Sequence, residues 1–181
     1  MNKEIKDFLK ETISVIVIAF VLAMALRAFV IEGRVIPTGS MLQTVQLQDR
    51  VMLNRFIYRF KEPQRGDVVM FQPPEELHST TPFLKRVIGL PGETVEMKNN
   101  KVYINGRPLV EPYVSEPLNY TFGPVVVPQD SIFVLGDNRN NSYDSHAWNV
   151  WLKRDSLMGK AFLIYWPVKE IKLLPREVSF G

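Results

Sequence analysis

Two patterns of apolar and polar positions divide this chain. From Ile13 to Leu26 every residue except Ser14 is apolar. Arg27 interrupts, and Ala28-Phe29-Val30-Ile31 resumes the run. Fourteen residues fall short of a membrane span, which needs about 20. Thr12 to Ile31 reaches that length, with Arg27 near one end, where a long side chain can snorkel to the interface. Lys3, Lys6 and Lys10 precede the run, so the positive-inside tendency puts residues 1–11 in the cytoplasm and the chain beyond about 32 outside. The same features fit a cleaved signal peptide, with Ala23-Met24-Ala25 as its small-residue site, or a buried helix of a soluble protein. The run continues past that site, which favours an uncleaved anchor over residues 12–31.

From about residue 34 the period changes. Short runs rich in Val, Ile, Phe and Tyr alternate with Pro, Gly and Asn breakers, the pattern of strands joined by turns. Strands are predicted at 50–53, 67–71, 83–90, 94–97, 101–104, 131–135 and 159–166. Asn99-Asn100 reads as a hairpin turn and Asn105-Gly106 as the close of the next strand. Pro73-Pro74 and the stretch from Glu111 to Pro128 read as loops. The fold expected over residues 32–181 is a single, mostly β, antiparallel domain with coiled or barrel-like sheets. Neither an internal repeat nor a long linker divides it.

Composition narrows the function classes. The 181 residues suffice for one core plus an anchor. A net charge of +3, with no basic patch interleaved with aromatics, gives no reason to expect a nucleic-acid partner. The chain has no cysteine, which removes disulfides, thiolate metal sites and cysteine nucleophiles.

Only two histidines remain as ordinary bases. His78 lies in a loop that reads as solvated, and His146 lies in a polar turn. This matters for Ser40 in Pro37-Thr38-Gly39-Ser40-Met41, because a serine hydroxyl needs a base to become a nucleophile. A lysine serves when burial lowers its pKa from about 10.4 toward neutrality. Lys85 qualifies: strand alternation puts it on the apolar side of Phe83, Val87 and Gly89. The competing reading is a lysine guarding a sheet edge. Thr38, two residues before Ser40, has a hydroxyl that can turn toward an oxyanion beside the Ser40 N–H. Gly39 lets the backbone approach a substrate closely.

A second polar segment, Gly136 to His146, follows a strong strand. A calcium loop is excluded because Arg139 takes a ligand position and Trp148 stands where the closing glutamate belongs. Asn119-Tyr120-Thr121 and Asn140-Asn141-Ser142 match the glycosylation pattern, which is frequent by chance.

Together these pieces resemble the type I (leader) signal peptidases, of the short bacterial kind with one anchor. The resemblance runs from the anchor to about Tyr165. Four blocks stand in the family's order: Pro37 to Met41, Arg65-Gly66-Asp67-Val68-Val69, Lys85 to Gly92, and Gly136 to Arg139 with Ser142, Asp144 and Ser145. The resemblance implies Ser40 as the acylated nucleophile, Lys85 as general base, and Thr38 with the Ser40 amide as oxyanion hole. It implies that Ser142 hydrogen-bonds and orients Lys85 and that Asp144 supports the last block. Gly39, Met41, Gly136 and Asp137 would be structural neighbours of the site, with Arg86 and Arg139 holding it by salt bridges. No metal or cofactor is implied. The implied substrates are secretory precursors cut after Ala-X-Ala sites, at the plasma membrane, with membrane lipids and the translocation machinery as further partners. Gln43, His146 and Asn149 stand where the family usually has proline, arginine and glycine. Two other classes remain: soluble self-cleaving Ser–Lys repressors, and an anchored β domain that binds or scaffolds an envelope partner without catalysis.

Overall fold

A computed structural model describes residues 3–29 and 31–181, with the side chains of Glu4 and of residues 25–29 outside the described set. One helix, α1 (Lys3–Phe29), opens the chain. Its described side chains are exposed on every side: consecutive Val15, Ile16, Val17 and Ile18 all point outward. Among the described residues no helix is long and apolar enough to cross a membrane. Asp7, Lys10 and Glu11 charge the first half of α1, and the end of the expected 12–31 span lies outside the described side chains.

The strands are β1 (Ile31–Val35), β2 (Arg50–Asn54), β3 (Val68–Phe71), β4 (Phe83–Gly89), β5 (Thr94–Lys98), β6 (Lys101–Ile104) and β7 (Arg107–Val110). They continue as β8 (Phe122–Val126), β9 (Ser131–Leu135), β10 (Leu152–Lys153), β11 (Leu157–Trp166), β12 (Lys172–Leu173) and β13 (Ser179–Phe180). All seven strands read from the sequence are present, and every pairing is antiparallel. Two expectations are corrected. Ile31, assigned to the apolar span, opens β1, and the loop expected from Glu111 to Pro128 contains β8. That strand carries Gly123 and Pro124, which read as breakers, yet an edge strand tolerates proline because one side of its backbone needs no partner. The short strands β7, β10, β12 and β13 also escaped the sequence pattern.

One open sheet runs in the order β1-β2-β11-β3-β4-β9-β10, with β12 added to β11. A smaller sheet runs β13-β7-β6-β5-β8. Its hairpins turn on Asn99-Asn100 and Asn105-Gly106, all at positive φ. Paired positive φ values match the right-handed twist of the strands they join, and Asn and Gly accept them at least cost.

The central strands are buried on both faces. In β3, Val68 and Met70 enter one core with Ile36, Met41, Val45 and Leu84. Val69 and Phe71 enter another with Val87, Ile132, Val134 and Trp148. A third core, built on Ile88, Phe133 and Leu135, joins the long sheet to the small one through Val95, Met97 and Val102. Residues one apart on a strand therefore serve different cores.

Within this apolar frame sits a buried ion pair. Arg86 of β4 donates from Nε to Asp137 Oδ1 (2.8 Å) and from Nη2 to Asp137 Oδ2 (2.6 Å), and both side chains are fully buried. Its Nη1 donates to the carbonyls of Gly66 (2.9 Å) and Pro175 (2.6 Å). The guanidinium also lies 3.8 Å from the Tyr113 ring centroid. Removing one partner leaves an uncompensated buried charge. We expect Asp137→Ala to cost about 3–5 kcal/mol of stability in urea unfolding, and joint replacement of Arg86 and Asp137 by Met and Leu to recover much of it. An unchanged midpoint in Asp137→Ala would show that the pair does not hold the fold.

Candidate active site

The segment between β1 and β2 carries Ser40. It is pinned by Met41, fully buried among Ile36, Val45 and Leu84. Backbone bonds from Thr44 and Val45 to the Met41 carbonyl (both 2.9 Å) close a tight turn behind it. The Leu42–Gln43 peptide in this turn is cis.

Two residues of the segment after β9 hold the turn from the other side. Asn138 donates its backbone N–H to the Ser40 carbonyl (3.1 Å) and its side-chain amide to the Gly39 carbonyl (3.0 Å). Thr44 Oγ1 donates to Asp137 Oδ2 (2.5 Å). The turn thus shares a carboxylate with Arg86.

Lys85 neighbours Arg86 on β4 and points the opposite way, as strand alternation requires. Its Nζ reaches Ser40 Oγ at 2.6 Å and lies 5.5 Å from the Phe83 ring centroid. Only 4% of Lys85 is exposed. Burial pulls its pKa down from the ordinary 10.5 to about 8, against Asp144 and then Asp137, whose charges hold it up. A fraction of the amine is therefore neutral near physiological pH, able to accept a proton.

Thr38 Oγ1 stands 3.5 Å from Ser40 Oγ. Among the described residues the Ser40 N–H donates to no protein group. A cleft of about 270 Å³ opens over this group, lined by Thr38, Gly39, Ser40, Phe83, Lys85, Asn141 and Tyr143. Larger clefts, of about 600, 550, 380 and 360 Å³, share none of these residues. A hydroxyl in contact with a buried amine, a free amide and an accessible cleft in one place form an arrangement able to carry nucleophilic acyl transfer.

The segment after β9 supplies the support. Asp144 is fully buried. Its Oδ2 accepts the Gly136 N–H (2.9 Å), and its Oδ1 faces His146 Nδ1 (2.6 Å). Gly136 packs so closely that a Cβ there would stand 2.4 Å from the Ser40 carbonyl oxygen and 2.3 Å from Ser142 Oγ, so only glycine fits. Arg139 donates from Nε to the Gly136 carbonyl (3.0 Å) and forms two 2.7 Å bonds to Glu111. Burial alone pushes the Glu111 carboxyl up, but Arg139 outweighs it and holds the group below its usual value.

The Ser142–Lys85 hydrogen bond implied by the resemblance is absent. Ser142 Oγ is buried without a hydrogen-bond partner. The residue is extended (φ −139°, ψ 127°) and its hydroxyl lies against Gly136. The fold brings the other residues named from the sequence into one place: Thr38, Gly39 and Met41 with Ser40, and Gly136, Asp137, Arg139 and Asp144 behind it, with Arg86 bonded to Asp137.

Sequence reasoning missed Glu111, Tyr113 and Thr44. Glu111 and Tyr113 lie in a stretch read as a loop, and their arginine partners are 26 to 28 residues away in the chain, so no local pattern could reveal them.

The signal peptidase, peptidase S26 family model matches residues 9–166. A signal peptidase I from Leptolyngbya laminosa is 47% identical over 95% of this chain and 87% of its own length. Signal peptidase I S from Bacillus subtilis is 36% identical over 94% of this chain and 96% of its own length. The crystal structure of a signal peptidase I from Enterococcus faecalis is 36% identical, covers 55% of this chain and 97% of that one, and gives a TM-score of 0.48.

A lysine whose pKa is lowered by burial weakens the fold while it stays charged. Below about pH 8 folded and unfolded chains both hold the proton, and the folded state bears the full cost. As pH rises from 8 to the ordinary 10.5 the folded protein sheds its proton first, and the cost fades. We expect Lys85→Met to be about 1–3 kcal/mol more stable than the wild type at pH 7. The advantage should vanish by pH 10.5 in paired denaturant titrations; a gap independent of pH would show that Lys85 is not destabilised by its burial.

Proposed function

The chain belongs to the signal peptidase family, peptidase S26, and on that premise we propose that it is a membrane-bound serine endopeptidase that removes signal peptides from secretory precursors with a Ser40–Lys85 dyad. The observation that carries this reading is the 2.6 Å contact between Lys85 Nζ and Ser40 Oγ, with the amine buried.

Neutral Lys85 takes the Ser40 hydroxyl proton as Oγ attacks the scissile carbonyl carbon. The oxyanion so formed is bound by the Ser40 N–H and by Thr38 Oγ1–H, donors placed before the reaction begins. The tetrahedral species collapses when the Lys85 ammonium hands its proton to the leaving amine. This leaves the signal peptide esterified to Ser40. A water then loses a proton to Lys85, attacks the ester, and frees the carboxylate while Ser40 recovers its hydrogen. The Asp144 charge stabilises the Lys85 ammonium formed in the first step.

The cleft over Ser40 is small, and Phe83 forms part of its wall. A shallow apolar site of this kind favours alanine-sized side chains, consistent with cleavage after Ala-X-Ala. The domain faces the extracytoplasmic side, where such precursors emerge.

In this reading α1 is the anchor. From Thr12 to Met24 only Thr12 and Ser14 are polar. The apolar side chains of this stretch are exposed all round, and a helix apolar on every face needs an apolar medium. Lys3, Lys6 and Lys10 keep residues 1–11 in the cytoplasm. Exposed Trp166, Val168, Ile171 and Leu173 add apolar surface to the domain itself.

Two measurements test the proposal. Purified protein in detergent should cut a precursor with an Ala-X-Ala site after the second alanine, with kcat/KM rising as pH passes about 8, where Lys85 gives up its proton. Ser40→Ala and Lys85→Ala should each lose at least about 10³-fold in rate while staying folded; substantial cleavage by either excludes the dyad. In cell fractionation, full-length protein should stay in the membrane pellet under alkaline extraction, and a chain lacking residues 3–29 should be released more readily. Release of the full-length chain would refute the anchor.

A further inference from the structure

We propose that His146 is a positioning residue for the Ser40–Lys85 centre: through Asp144 it links the charge at the protein surface to the buried amine and to the backbone that holds the nucleophile. The inference rests on the reading of Ser40 and Lys85 as the dyad.

Asp144 is fully buried, while 19% of the His146 side chain is exposed. His146 Nδ1–H donates to Asp144 Oδ1 at 2.6 Å, and the His146 backbone N–H lies 3.4 Å from the same oxygen. The opposite carboxylate oxygen holds the Gly136 N–H at 2.9 Å. Gly136 abuts the Ser40 carbonyl. A continuous chain of contacts thus runs from the imidazole to the nucleophile's own backbone.

The ring cannot swing away freely. It stacks on Tyr120 with centroids 4.2 Å apart and planes 16° apart, and Phe122 meets it edge-on at 6.5 Å. The titratable groups facing it are Asp144 on its own segment and Tyr120 on the packed one. Burial pushes the Tyr120 phenol up, as does the Asp144 charge, so it stays neutral. Behind Tyr120 lie Arg139 and Glu111, which pair with each other. Asp144 is therefore the group through which a change of charge at His146 is felt.

The sign follows from Coulomb's law. Asp144 attracts the Lys85 ammonium and holds its proton. A cation at position 146 offsets that attraction, so Lys85 gives up its proton at lower pH. An uncharged amide there keeps the donor to Asp144 and leaves Lys85 where it is.

The test compares wild type with H146R, H146K and H146N as full-length protein in detergent. Two readouts are taken: the pH profile of kcat/KM on an Ala-X-Ala precursor, and NMR titration of the Lys85 ε-carbon, assigned by its loss in K85M. We expect both midpoints to fall by roughly half a pH unit in the cationic variants and to stay near the wild-type position in H146N. A merely structural role would lower activity or stability without moving either midpoint. Midpoints unmoved in every folded cationic variant overturn the proposal. An NMR midpoint that falls in the cationic variants while the wild type cuts nothing would leave the His146 coupling standing and sink the Ser40–Lys85 reading instead.

Discussion

The buried pair of Arg86 with Asp137 is the constraint on which the rest of the site depends. Each partner stands next in sequence to a residue of the site: Lys85 precedes Arg86, and Gly136 precedes Asp137. Joining the two charges joins β4 to the segment after β9, whose Asn138 holds the turn that carries Ser40. Thr44 then borrows the same carboxylate to dock the Ser40 turn. A buried ion pair is a poor source of net stability but a strict specifier of geometry, since no other arrangement satisfies both charges. Four of the hydrogen-bonding roles around Arg86 are met by named acceptors, so the guanidinium tolerates its burial.

The same burial that fixes Arg86 perturbs Lys85. An arginine with a carboxylate in contact stays charged. A lysine with only a hydroxyl in contact and its carboxylates further off loses affinity for its proton. Strand alternation delivers these opposite outcomes to consecutive residues. Arg86 faces the core that contains its partner, and Lys85 faces a cleft with a serine and an aromatic ring. The fold gives up stability at Lys85 and so holds an amine that is partly neutral near pH 8.

Support comes from far along the chain. Glu111 and Tyr113, in the loop that follows β7, meet Arg139 and Arg86, so this loop buttresses the site although it supplies none of the groups that face the cleft. Asp144 has two tasks at once: it holds Gly136 against Ser40 and it sets the field at Lys85. Economy of this sort makes individual residues hard to assign to structure or to chemistry alone.

Much of this was legible in the chain itself. Seven strands were readable because short runs rich in Val, Ile, Phe and Tyr, bounded by Pro, Gly and Asn, are a local property. Ser40 and Lys85 stood out as candidates through the absence of cysteine, the scarcity of histidine and the apolar face that alternation gives Lys85, and the family resemblance joined them as a pair. The edge strands were not readable: β8 contains Gly and Pro, and β12 and β13 are two residues long, too short for any period. Nor could the sequence tell a buried lysine from one guarding an edge, since both sit on a β-strand; the neighbours that decide it, Ser40 above all, are 45 residues away. The Ser142 hydroxyl illustrates the same limit, because its direction is set by a close approach to Gly136. Sequence by itself determined which residues form strands and which carry reactive groups, since these depend on local pattern and composition. Tertiary structure alone decided which of those groups meet, because burial, charge pairing and pKa arise only when distant segments exclude water together.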